Sequence, residues 1–173
     1  MTRCRAMVNI GRRSFLSGAG MAAAGAAAST VLPGASQAAT PTMVGAYPSS
    51  RLANAKELKI NEPLEVAYPD AQAPGVLLKL GKPVPGGVGP DGDIVGFTTI
   101  CPHKGFPLAY NAADHSLNCP GHYGRYDCDA GGLQIWGHAT QNLPQYMLRV
   151  DEKGDIYAEG LDELLYGRLA NVL

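Results

Sequence analysis

Two short motifs, Cys101-Pro-His103 and Cys119-Pro-Gly-His122, bring two thiols and two imidazoles into one short stretch of chain. Both groups are strong ligands for transition metals. The segment from Cys101 to Cys128 holds three of the four cysteines and three of the four histidines in the 173-residue sequence. A disulfide framework is weakly supported: Cys4 lies ahead of a leader-like stretch, and Cys101, Cys119 and Cys128 leave an odd count. A Cys2His2 zinc site has suitable donors, yet zinc spacings usually pair cysteine with cysteine and histidine with histidine. Here each motif is mixed, with one thiol and one imidazole. In both, proline follows the cysteine and a glycine stands close to the histidine. Proline and glycine tighten such a turn, so that backbone amides can point at an anionic sulfur.

Mixed motifs suit a binuclear cluster. In a [2Fe–2S] centre with two cysteines on one iron and two histidines on the other, each loop supplies one ligand to each iron. Thiolates stabilise the inner ferric iron. Neutral imidazoles donate less charge, so the outer iron is easier to reduce and the potential rises. The spacing Cys101-x-His103, fifteen residues, Cys119-x-x-His122 resembles the signature of the Rieske iron–sulfur family. That resemblance implies an all-β Rieske fold, with antiparallel β-sheets carrying a small cluster-binding subdomain. It implies a Rieske-type [2Fe–2S] cluster as cofactor, held by Cys101, His103, Cys119 and His122 in cluster loops 101–106 and 119–126.

The flanks narrow the resemblance. Tyr126-Asp127, then Gly132-x4-Gly137-x-Ala139-x3-Leu143-Pro144, are similar to the Rieske proteins of cytochrome bc complexes. Three departures matter. Those proteins carry an extra cysteine in each loop, joined as a disulfide, where Phe106 and Gly121 stand here. Their serine, whose hydroxyl bonds a bridging sulfide, is replaced by Gly124. Their Gly-Pro-Ala-Pro lid reads Gly137-His138-Ala139-Thr140. With its leader and Cys101-Pro-His-Lys-Gly-Phe106, the chain resembles the small subunit of bacterial arsenite oxidases, in a variant without the disulfide. This implies a heterodimer whose large subunit carries a molybdopterin cofactor and a [3Fe–4S] cluster. Arsenite is then oxidised at molybdenum, and electrons pass through both clusters to a soluble cytochrome c or azurin. This chain relays electrons and has no substrate site of its own. Tyr126 is implied to bond a ligand sulfur.

The rest of the sequence supplies the elements that hold these loops. Residues 1–39 read as an export signal. Arg12-Arg13-Ser14-Phe15-Leu16 is followed by an uncharged Ala/Gly-rich run and by small residues around Ala38-Ala39. The paired arginines resemble a twin-arginine (Tat) signal, which carries folded, cofactor-loaded proteins to the periplasm. Cleavage after Ala38 or Ala39 is expected; membrane contact follows only if the signal is retained. Residues 40–54 read as a polar lead and 55–173 as the Rieske domain. Charged residues make up 17%, with 22 glycines and 13 prolines, which favours short strands and loops over a helical bundle. Net charge near -1 shows no basic stripe for nucleic acid.

Strands are expected at Leu64–Tyr68, Val76–Leu80, Ile94–Ile100 and Ser116–Asn118, and a hairpin joins Tyr146–Val150 to Ile156–Ala158. The Gly/Pro-rich stretch 81–92 is a loop. Leu161, Leu164, Leu165, Leu169 and Val172 recur at helical spacing and predict a short C-terminal helix.

Several residues carry two readings. Lys104 and His138 are exposed loop side chains or partner contacts. His115 belongs to the surface turn Asn111–His115. Cys128 is a small buried apolar residue. Trp136 packs near the cluster loops or in the core. Two rival functions stand beside arsenite oxidation: a quinol-oxidising subunit of a cytochrome bc complex, and a free periplasmic Rieske carrier. Ferredoxins of the Rieske type also lack the extra cysteines but need no export signal.

Overall fold

In the run Ile94-Val-Gly-Phe-Thr98 every residue is buried, as befits a strand covered on both faces. The computed structural model describes residues 46–172. This strand, β4 (Ile94–Thr98), pairs antiparallel with β3 (Pro74–Lys79), which in turn pairs with β2 (Leu64–Ala67). A second sheet has the order β1-β10-β9, with β1 at Ser50–Asn54, β9 at Tyr146–Val150 and β10 at Asp155–Leu161. A third runs β5-β6-β7-β8: Ala109–Asn111, Ser116–Asn118, Arg125–Asp127 and Leu133–Trp136. All pairings within the three sheets are antiparallel.

The β3–β4 pair is the central layer, because successive side chains of a strand face opposite sides. Leu77 and Ile94 pack with Ala53 and Ile156 of the β1-β10-β9 sheet. Val76, Leu78, Val95 and Phe97 pack on the other side with Cys101, Cys119 and Tyr126. Cys101 and Cys119 are therefore continuous with the main core. β4 runs directly into Cys101, so the first cluster loop is seated on the most deeply buried strand of the domain.

Two expectations need correction. The stretch 50–54, read as part of a polar lead, is strand β1, with Ser50 opposite Ala158 and Asn54 opposite Asp155. It has no clear apolar alternation of its own; pairing to β10 decides its state. The expected C-terminal helix does not form. After Leu161 the chain continues as turns, interrupted by Gly167 at φ +78°. Leu165 is buried while Leu169 is fully exposed, so the leucines do not share one face. The Asn171 side chain accepts from the Leu165 amide at 2.8 Å, a local bond that competes with helix hydrogen bonding.

Candidate metal centre

The two cluster loops are built alike. In the first, the Cys101 amide donates to the Phe106 carbonyl at 2.8 Å, and the Gly105 amide donates to the Cys101 carbonyl at 2.9 Å. In the second, the Cys119 amide donates to the Gly124 carbonyl at 2.8 Å, and the Tyr123 amide to the Cys119 carbonyl at 3.1 Å. Gly105 and Tyr123 hold equivalent places, and both are left-handed, at φ +71° and +58°. Glycine takes this conformation freely, whereas tyrosine is strained in it.

The loops meet with their donors sorted by type. Cys101 and Cys119 are 1% and 3% exposed. His122 is exposed and His103 half-buried, and their rings meet edge to face with centroids 4.8 Å apart. Thiols lie together inside and imidazoles together outside. Among the described residues, no three His, Cys, Asp or Glu side chains converge as ligands of a single ion would. A binuclear cluster takes two ligands on each iron. The donor set and its segregation fit the cluster.

The surroundings favour negative charge on sulfur. Burial pushes the Cys119 thiol up, but amides of His122, Gly121 and Gly124 donate to its sulfur. Together with the Cys101 side chain they outweigh burial and hold it below the ordinary thiol value. The Tyr126 hydroxyl, in a fully buried side chain, lies 3.5 Å from Cys101 Sγ. Burial first, and then this sulfur, push the phenol far up, so it stays a donor. Burial lowers His103, helped by the nearby His122, Lys104 and His138; a neutral ring is the form that binds metal.

A family model for the Rieske [2Fe–2S] domain matches residues 50–147. The chain belongs to the Rieske family. Its cofactor is a Rieske-type [2Fe–2S] cluster, and the three antiparallel sheets are the Rieske fold. The chain is 42% identical to the iodate reductase subunit IdrB of Denitromonas iodatirespirans, over 92% of this chain and 85% of that one. It is 40% identical to the subunit of the same name from Pseudomonas sp. strain SCT, over 79% and 71%. The soluble domain of Rieske protein II from Sulfolobus acidocaldarius superposes with a TM-score of 0.64 at 25% identity, covering 72% of this chain and 83% of that one.

The other residues singled out from the sequence divide in two groups. Phe106 and Gly121 touch each other across the loops. Gly124 lies beneath the lid, where a Cβ on Gly137 would come within 2.7 Å of its Cα. The His138 ring lies 6.0 Å from that of His103, and Lys104 is exposed. Cys128 is buried in the core cluster that also holds Cys101 and Cys119, its thiol raised chiefly by burial. His115 reaches Asp129 at 3.0 Å, and Trp136 is 68% exposed. Sequence reasoning missed Tyr166, which packs on Gly105; nothing local to either residue signals that contact.

Proposed function

We propose that this chain is the exported Rieske subunit of a two-subunit oxidoreductase that acts on iodate. Cys101, His103, Cys119 and His122 would hold the cluster, the thiolates as ligands of one iron and the imidazoles of the other. The observation that carries the substrate is the similarity to iodate reductase subunits, over 92% and 79% of this chain. The resemblance to arsenite oxidase small subunits supplies the nature of the partner, a large molybdopterin subunit with a [3Fe–4S] cluster. The leader over residues 1–39, outside the described residues, supports Tat export to the periplasm.

The bound cluster accepts and gives up one electron at a time. The chain's own residues set the conditions. The core excludes water from the cysteine side. Amides around Cys119 and the Tyr126 hydroxyl beside Cys101 stabilise negative charge where the sulfurs sit. His122 is exposed, so its side of the site faces solvent and a partner. For iodate reduction the cluster would supply one-electron relay toward the large subunit, from a soluble one-electron donor.

A second reading, arsenite oxidation with the opposite flow to cytochrome c or azurin, is favoured by the stretch Cys101-Pro-His-Lys-Gly-Phe106 and by the loops without a cysteine pair. The test is purification from the native host with metal analysis and two assays. A co-purifying molybdenum subunit with viologen-driven iodate reduction supports the proposal. Arsenite oxidation without iodate reduction selects the second reading. A monomer without molybdenum defeats both and leaves a free carrier; quinol oxidation in the membrane fraction points to a bc-type subunit.

A further inference from the structure

The segment after β10 has no regular secondary structure, yet it is tied down at both the base and the cluster end. At the base, both guanidinium nitrogens of Arg168 reach Asp70, at 2.6 and 2.9 Å. Asn171, 7% exposed, accepts from the Leu165 amide and donates to the Glu163 carbonyl and the Tyr47 hydroxyl, each at 2.8 Å. A buried amide satisfied on every side fixes a single path for the backbone. Chain ends usually fray unless they are held in this way.

At the cluster end the same segment makes two contacts. The Tyr166 ring lies on Gly105, where a Cβ would fall 2.5 Å from Cε1 and 2.8 Å from Cδ1. Gly105 closes the first cluster loop through its 2.9 Å bond to the Cys101 carbonyl, and His103 is two residues away. The Gln141 side chain, just beyond the lid, donates to the Leu164 carbonyl at 2.8 Å. One segment therefore touches the first cluster loop and the neighbourhood of the lid, while Arg168 and Asn171 anchor it to the base.

We propose that residues 162–172 are a brace for the cluster, with Tyr166 a positioning residue that holds the His103-bearing loop through Gly105. Groups that hold a metal ligand in place set its orientation and hence the electronic properties of the site. A loop that moves little between redox states also lowers the rearrangement that electron transfer requires. The inference rests on the cluster loops and not on which oxyanion the larger enzyme handles.

The test uses the full-length, cluster-loaded protein and three variants. Hydrogen exchange is followed by mass spectrometry over residues 101–106 and over β3–β4, together with the EPR spectrum of the reduced cluster. Tyr166→Ala is expected to speed exchange over 101–106 by about tenfold, or about 1.4 kcal/mol of lost local protection, to leave β3–β4 protected, and to alter the EPR line shape. Tyr166→Phe keeps the ring and is expected to match wild type on every readout. Wild-type exchange and EPR in Tyr166→Ala would overturn the brace. So would an equal loss in Tyr166→Phe, or a rise in exchange that is uniform across the domain. Should Tyr166→Ala fail to accumulate, Arg168→Ala loosens the base anchor without touching the loop. Faster exchange at 101–106 in that variant supports the brace, and faster exchange confined to 163–171 refutes it.

Discussion

The Phe106 ring covers Gly121: a Cβ on residue 121 would lie 2.9 Å from both Cγ and Cδ2 of that ring. The same ring stands edge-on to the His122 imidazole, with centroids 5.8 Å apart and an interplanar angle of 89°. An aromatic contact thus joins the two cluster loops where the bc-complex proteins carry a covalent bridge.

This contact predicts a specific non-additivity. Gly121→Ala forces the ring away, and Phe106→Ala removes an edge-to-face pair worth about 0.5–1.5 kcal/mol. Both are expected to speed loss of the visible absorption of the cluster on heating. The three atoms nearest a Cβ at 121 all belong to Phe106, so alanine costs little at 121 once the ring is gone. A double-mutant cycle on the bleaching temperature checks this; strict additivity contradicts it.

Gly124→Ser introduces a hydroxyl near the cluster. A hydrogen bond to a charged acceptor contributes about 1.5–3 kcal/mol, and about 59 mV corresponds to a tenfold, one-electron shift. Only the difference between redox states counts, so a rise of tens of millivolts is expected. The new Cβ would stand 3.3 Å from the Tyr126 hydroxyl, which must yield by a few tenths of an ångström and so weakens its own bond to Cys101. Tyr126→Phe removes that donor and is expected to lower the potential. Film voltammetry of the two single variants, and of Gly124→Ser in the Tyr126→Phe background, at one pH decides; a fall on adding Gly124→Ser to Tyr126→Phe refutes the hydroxyl argument.

Tyr123 occupies the place that glycine takes in the other loop, at φ +58°. A non-glycine residue there costs roughly 1–2 kcal/mol. Its side chain is 75% exposed, so little packing is lost on truncation. Tyr123→Gly relieves the strain but makes the unfolded chain more flexible, which offsets up to about 1 kcal/mol. Thermal stability is therefore expected to stay level or rise slightly, whereas Tyr123→Val, with a β-branched side chain, is expected to fall. A marked loss in Tyr123→Gly would show that the exposed ring contributes to the fold.

Cys128 gives a pH dependence. Burial raises its thiol above the ordinary value, which is about 8.5 in the unfolded chain. The stability it confers is fully present below that value and is lost as pH rises above it, because the unfolded state then releases a proton that the folded state keeps. The slope approaches about 1.4 kcal/mol per pH unit for one such group. Between pH 8 and 9.5 the unfolding midpoint is expected to fall more steeply in wild type than in Cys128→Ala. Native protein is expected to show no alkylation of Cys128 at pH 8; ready alkylation there would contradict the burial.

The kind of cluster and the family were legible in the sequence. Thiol and imidazole chemistry at fixed spacing is local, and Pro and Gly beside the ligands restrict the loop whatever surrounds it. Strands β2, β3, β4, β6, β9 and β10 were legible too, since apolar runs and a turn-bearing hairpin declare themselves. Only the tertiary structure decided the rest. Ser50–Asn54 is a strand because β10 offers it a partner. The leucines of the tail do not make a helix because the Asn171 side chain captures the Leu165 amide and the Glu163 carbonyl, and Gly167 turns the chain at φ +78°. Phe106 meets Gly121, and Tyr166 meets Gly105, across 15 and 61 residues of sequence. Such contacts depend on where the folded core brings separate loops, and no periodicity or propensity within either segment encodes that distance.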